Sequence, residues 1–192
     1  MTDRQKELLE LLDKSGANLY TLLTRLTLRE DVAEELMQEL FIKLNKSNFD
    51  KARNRYAYAR KTAINLAFEW RRNRKFNSVG LDQISEPALN NSPLNELIRI
   101  ERLNEILNAI GKLNKFPREA FVMRYIEQES YDYIAEQLGK TNHHVRAMCS
   151  RASTRIRDIL EQNHSQSFIK ETDNGKNKRQ ADPGPAQNPV TD

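Results

Sequence analysis

The sequence predicts an all-α fold: two small helical domains joined by a flexible linker. Three observations carry this. Apolar residues recur three or four apart along nearly every sustained segment, the spacing of one helix face. Gly and Pro number only six each in 192 residues, too few for the many turns of a sandwich or barrel. One stretch, residues 76–94, breaks the periodicity with Pro87, Pro93, Gly80 and several Asn and Ser, a linker composition. Residues 1–75 and 95–162 are the two expected domains, and residues 163–192 form a polar tail expected to be disordered.

The elements follow in order. Residues 5–14 carry Leu8, Leu9, Leu11 and Leu12, and residues 17–28 carry Leu19, Leu22, Leu23 and Leu26. Residues 31–45 show the strongest stripe, from Val32 through Leu36, Met37, Leu40, Phe41 and Leu44. Asn54 is placed to cap the next helix, which runs to about Arg74 and is expected to bury Tyr58, Ala59, Ala63, Leu66, Ala67 and Trp70. Short connections imply an antiparallel bundle. Periodicity resumes at Leu97 and continues through Ile100, Leu103, Leu107 and Ile110. Pro117 suits the first position of a further helix, with Phe121, Val122 and Tyr125 expected inward.

Residues 128–157 are the most informative run. They hold two short helical patterns broken at Gly139: Ile134, Ala135 and Leu138, then Val145, Met148, Ala152 and Ile156. Ser130 is placed to cap the first helix. A short glycine-containing turn between two helices, the second basic, is the helix-turn-helix pattern that lays a recognition helix in a DNA major groove. Off the apolar stripe lie His143, His144, Arg146, Ala147, Ser150 and Arg151. Arg bonds guanine bidentately, and Ser reaches a base edge or a phosphate.

Charge is mild overall, +4, but segregated. Residues 29–39 hold five acids against Arg29 alone, while residues 51–76 hold nine bases against Glu69 alone. Residues 140–157 hold five bases and no acid. Two basic segments, one of them on a helix-turn-helix, point to a phosphate-binding surface. The acidic face of residues 31–41 carries Asp31, Glu34, Glu35, Gln38 and Glu39, which suits a protein partner. In residues 49–72 bases interleave with aromatics, the chemistry of single-strand capture. There Tyr58 and Trp70 are expected in the core, and Phe49 is the stacking candidate.

Other classes find no support. No apolar run approaches the roughly 18 residues of a membrane span, and the N-terminal segment lacks a signal-peptide core. Cys149 is the sole cysteine, which suits a reducing compartment such as the cytoplasm. His143, His144, Cys149 and His164 fit no zinc spacing, and Cys149 reads as a small buried residue. There is no phosphate loop, nucleophile–base grouping or inward carboxylate pair, so neither an enzyme nor a cofactor is expected.

Asp31–Phe41, Phe49–Arg72 and Ser130–Arg157, in that order, resemble the sigma-70 superfamily of transcription initiation factors, most of all its small extracytoplasmic-function group. The first is similar to the family's DAEDLVQEVF segment, and the third to SYEEIAEALGISVGTVRSRLSRARARLR. The resemblance implies that Asp31, Glu34, Glu35, Gln38 and Glu39 dock on core RNA polymerase. It further implies that Phe49, Lys51, Arg53, Asn54, Arg55 and Asn65 hold the melted −10 strand. His143, His144, Arg146, Ala147, Ser150 and Arg151 then read the −35 element. Core polymerase, promoter DNA and an anti-sigma factor are the implied partners. Departures are Tyr58 for the family's Trp, Leu113-Asn114 for Leu-Pro, Tyr133 for Glu, and His143-His144 for Gly-Thr. Two rivals remain: a helix-turn-helix regulator acting without polymerase, and a helical protein-interaction adaptor.

Overall fold

The computed structural model describes residues 3–47, 49–74 and 93–177. These form α1 (Asp3–Thr27), α2 (Glu30–Lys46), a 3-10 turn (Phe49–Lys51), α3 (Arg55–Arg74), α4 (Pro93–Gly111), α5 (Lys115–Tyr125), α6 (Tyr131–Leu138) and α7 (Asn142–Asn177). No strand occurs among the described residues. Most of the expected linker and residues 178–192 of the expected tail lie outside them.

Several expectations change. The patterns at 5–14 and 17–28 are one helix, because the register of Leu8, Leu11, Leu19, Leu22, Leu23 and Leu26, all buried, continues through Gly16. Pro117 is the third residue of α5, not the first. It still sits in the first turn, where no intrahelical N–H bond is needed. Tyr125 is 49% exposed, leaning on Phe121 with ring centroids 4.5 Å apart. Finally, α7 runs on to Asn177, past the start of the tail expected from composition.

Helix α3 is central. It contacts α1, α2 and α4, and it buries Ala59, Ala63, Ile64, Leu66, Ala67 and Phe68. Two bases of the 51–76 run turn inward with them: Arg60 and Arg71. The Arg71 Nη1 donates to the Leu26 carbonyl at 3.1 Å, at the α1 C-terminus, where carbonyls lack helical partners and favour a cation. Its Nη2 donates to Asn104 Oδ1 at 2.8 Å and to the Asn104 carbonyl at 3.2 Å, tying in α4. The chain leaves α1 through Leu28, at φ 59 in the left-handed region. Thr27 Oγ1 holds that turn by donating to the Leu23 carbonyl.

One core cluster unites α1–α4 with Val122 and the middle of α7, at Ala152, Ile156 and Ile159. A second joins α5, α6 and the start of α7 around Met123, Ile134, Val145 and Cys149. Helix α7 therefore spans both. Gly111 lets α4 approach α3 closely: a Cβ there would lie 3.2 Å from Phe68 Cδ1.

Gly16 offers a test of the single α1. An added Cβ would meet only Leu12 Cδ2, at 3.5 Å, an ordinary contact. Gly16→Ala should stabilise the chain by about 0.5–1 kcal/mol, seen as a calorimetric midpoint about 2–4 °C higher. A lowered midpoint would mean that the helix does not run straight through this residue.

Candidate nucleic-acid interface

The helix-turn-helix is built by its caps. Ser130 Oγ accepts from the Tyr133 N–H at 3.1 Å and starts α6. Gly139, at φ 62, ends it. There Lys140 N–H donates to the Ala135 carbonyl at 2.9 Å and Gly139 N–H to the Glu136 carbonyl at 3.3 Å, a Schellman closure. A side chain at residue 139 would carry the strain of that φ. Thr141 Oγ1 accepts from the His144 N–H at 3.3 Å and starts α7. Val145, Met148, Ala152 and Ile156 are buried as the stripe predicts.

On the other side of α7, His143, His144, Arg146, Ser150 and Arg151 are exposed, and Ala147 is half-buried. Arg146 is held in place. Its Nε donates to Asn142 Oδ1 at 2.6 Å, and its guanidinium stands 4.7 Å from the centre of the Tyr131 ring. Asn142 in turn donates to Asp132 Oδ1 at 2.5 Å. The same ring carries Arg124 at 4.5 Å, anchored on the Glu129 carbonyl at 2.8 Å. Tyr131, Asn142 and Arg124 were not among the expected site residues. Only the Asn142–Arg146 spacing of four, neighbours on a helix surface, carries a sequence signal for them. Cys149 packs inward, its thiol 3.7 Å from the Ala120 carbonyl, and burial raises its pKa.

The acidic face of α2 is open. Asp31, Glu34, Glu35, Gln38 and Glu39 are all exposed. Asp31 pairs with Arg29, whose hydrogen bond holds the carboxyl below its usual range. Glu39 lies 3.1 Å from Lys43.

The basic–aromatic segment differs from expectation. Phe49 is 0% exposed, so it is not the stacking surface. The 3-10 turn points its ring into the α1–α3 core, where it meets Tyr58 edge-on with centroids 6.3 Å apart. Tyr58, expected in the core, is 37% exposed. Lys51 and Arg53 are exposed, and Arg55 pairs with Glu7 at 2.6 Å. Asn54 caps α3 as expected, its Oδ1 accepting from the Ala57 N–H at 2.9 Å. Its Nδ2 donates to Gln137 Oε1 at 2.8 Å. Asn65 Oδ1 accepts from Arg118 Nη2 at 2.9 Å. A cleft of about 930 Å³ separates this segment from α6, with Arg53, Tyr58 and Lys61 on one wall and Phe116, Glu136 and Gln137 on the other.

Residues 103–156 match the family model described as Sigma-70, region 4. An RNA polymerase sigma-E factor of Streptomyces avermitilis is 31% identical over 105 residues, 55% of this chain and 56% of that protein. The chain thus spans about half the length of that curated relative. Among solved structures, the sigma factor RpoE in complex with the anti-sigma factor NepR, from Bartonella quintana, is 22% identical at a TM-score of 0.44, covering 84% of this chain and 98% of that one. CnrH in complex with the cytosolic domain of CnrY is 17% identical at a TM-score of 0.47, covering 82% and 90%. The matched region contains the whole helix-turn-helix, from the Ser130 cap through the exposed face of α7 to Ile156.

Proposed function

We propose that the chain is an RNA polymerase sigma factor of the extracytoplasmic-function type. The observation that carries this reading is the region-4 helix-turn-helix with its exposed, single-sign reading face. It stands in a chain that also presents an acidic helix face and a separate basic–aromatic segment. The two rivals leave one of those surfaces without a purpose.

In this reading α2 holds core polymerase through Glu34, Glu35 and Gln38, with Asp31 and Glu39 at the edges. Helix α7 enters the −35 major groove, and Arg146 and Arg151 read base edges. Lys51, Arg53, Asn54 and Asn65 hold the opened −10 strand, with Arg55 beside them. Tyr58, rather than Phe49, supplies the aromatic surface on which a base stacks. Base–aromatic stacking contributes about 1–3 kcal/mol per base, comparable to the few kcal/mol that unstacking one nucleotide costs. Polymerase performs the chemistry; this chain supplies the address and the strand contacts. It works where polymerase and DNA are, in the cytoplasm, and an anti-sigma factor is its inhibitory class of partner. Tying several modest contacts together raises the effective concentration of each.

Three outcomes test the reading. In run-off transcription on genomic fragments, core polymerase should acquire start sites only when the chain is added. No such start, together with no association with core polymerase, would overturn the proposal. Arg146→Ala should cost about 1–3 kcal/mol of discrimination at one −35 position, measured across a panel of −35 substitutions. Asn142→Ala should lose discrimination at that same position, by less, because it removes only the restraint on Arg146. Unchanged discrimination in Arg146→Ala would remove it from the reading set. Lys51→Ala combined with Arg53→Ala should weaken the melted complex evenly across −10 sequences. It should also flatten the log-affinity against log-salt slope, by roughly 0.7 per lost phosphate contact. A sequence-selective loss would instead place these two side chains on bases.

A further inference from the structure

Arg146 stands in the second turn of α7, and two neighbours fix its guanidinium. Its Nε–H goes to Asn142 Oδ1 at 2.6 Å, and the Tyr131 ring centre lies 4.7 Å away. An arginine grips guanine O6 and N7 through a pair of N–H groups. A guanidinium offers such a pair side-on, from Nε and one Nη, or end-on, from Nη1 and Nη2. Nε carries a single hydrogen, and Asn142 takes it. The side-on pair is therefore closed, and the end-on pair remains for a base.

Asn142 is itself a residue type that reads bases. A carboxamide matches adenine N6 and N7, and the first turn of a recognition helix is where base edges are reached. Here both ends of the amide are engaged: Oδ1 accepts from Arg146, and Nδ2 donates to Asp132 Oδ1 at 2.5 Å. A carboxylate only accepts, so Asp132 dictates which way the amide stands. Its Nδ2 turns to α6 and its Oδ1 to Arg146. Released from Asp132, the amide can rotate, and its NH2 then meets the guanidinium donor against donor. Asp132 lies exposed in the first turn of α6, where a carboxylate also gains from the helix dipole. That gain depends on its charge; the hold on Asn142 depends on its acceptor oxygen.

We propose that Asp132, on the supporting helix α6, sets the base preference of the −35 reader. Through Asn142 it holds Arg146 for end-on pairing with guanine, and it withholds Asn142 from adenine. Asp132 and Asn142 are positioning residues in this scheme, and Arg146 makes the base contact. A side chain held before contact loses less freedom on binding, so the restraint favours the one base that fits it. The scheme rests on the sigma reading for the identity of the DNA element.

The experiment is competitive run-off transcription by core polymerase with the full chain, on templates carrying each possible base pair at each −35 position. Arg146→Ala first marks the position that Arg146 reads. Asp132→Ala should lower the preference for guanine over adenine there about fivefold, the lower end of what one bidentate pair is worth. Asp132→Asn keeps an acceptor oxygen without the charge and should keep the preference. In an Asn142→Ala background, Asp132→Ala should change nothing further, since the relay is already cut. Each value is a ratio within one preparation, so a partly unfolded variant does not distort it. An Arg146→Ala variant that marks no position, or an Asp132→Ala variant with wild-type preference, overturns the proposal. So does an Asp132→Asn variant that loses as much as Asp132→Ala, which would trace the effect to charge, and so does a further loss in the Asn142→Ala background. Failure of the sigma reading is distinct: the wild-type chain then gives no start site on any template.

Discussion

The chain depends on two buried guanidiniums, one bonded through both of its terminal nitrogens and the other with no hydrogen bond. Arg71 lies among three helices and spends its donors on the Leu26 carbonyl and on both oxygens of Asn104. Hydrogen bonds from a charged donor contribute about 1.5–3 kcal/mol each, enough to offset the several kcal/mol of desolvating one cation. Without Arg71 the last carbonyls of α1 would be buried with fewer partners, and the left-handed turn at Leu28 would lose its brace. The orientation of α2, and hence of its acidic face, follows from that turn.

Arg60 sits about three helical turns away under the opposite balance. Two ring contacts, each about 2 kcal/mol when desolvated, face a similar burial cost with no hydrogen bonds to help. The nearest acids do not resolve it. Burial raises the pKa of both Glu119 and Glu127, against the lowering influence of Arg60 and other cations. The same helix thus buries a well-bonded guanidinium near its C-terminal end and an unbonded one nearer its N-terminal end.

Much of this was legible in the sequence, and the losses have physical causes. The α2 and α7 stripes, the Ser130 and Asn54 caps and the Gly139 turn rest on local rules, and each fell where those rules put it. Helix α3 was legible only in part. It is packed on several sides, so no single face repeats, and a count of bases cannot tell Arg53 on the surface from Arg60 and Arg71 inside. Phe49 is buried and Tyr58 exposed, the reverse of expectation, because a 3-10 turn resets the direction of a side chain, which a helical period does not anticipate. The fusion of two leucine patterns into α1 was hidden by Gly16, a residue that punctuates loops and is also tolerated inside helices. The pairings Asn54–Gln137 and Asn65–Arg118 join residues distant in sequence and follow no spacing rule.

Distance decides what the packed arrangement can do. The longest element, α7, has 36 residues and is about 54 Å long at 1.5 Å per residue. Promoter elements named −35 and −10 lie roughly 25 base pairs apart, about 85 Å at 3.4 Å per step. No helix among the described residues spans that distance. Under the proposed function the halves must separate before both elements are held, and every contact between them is a barrier to that step.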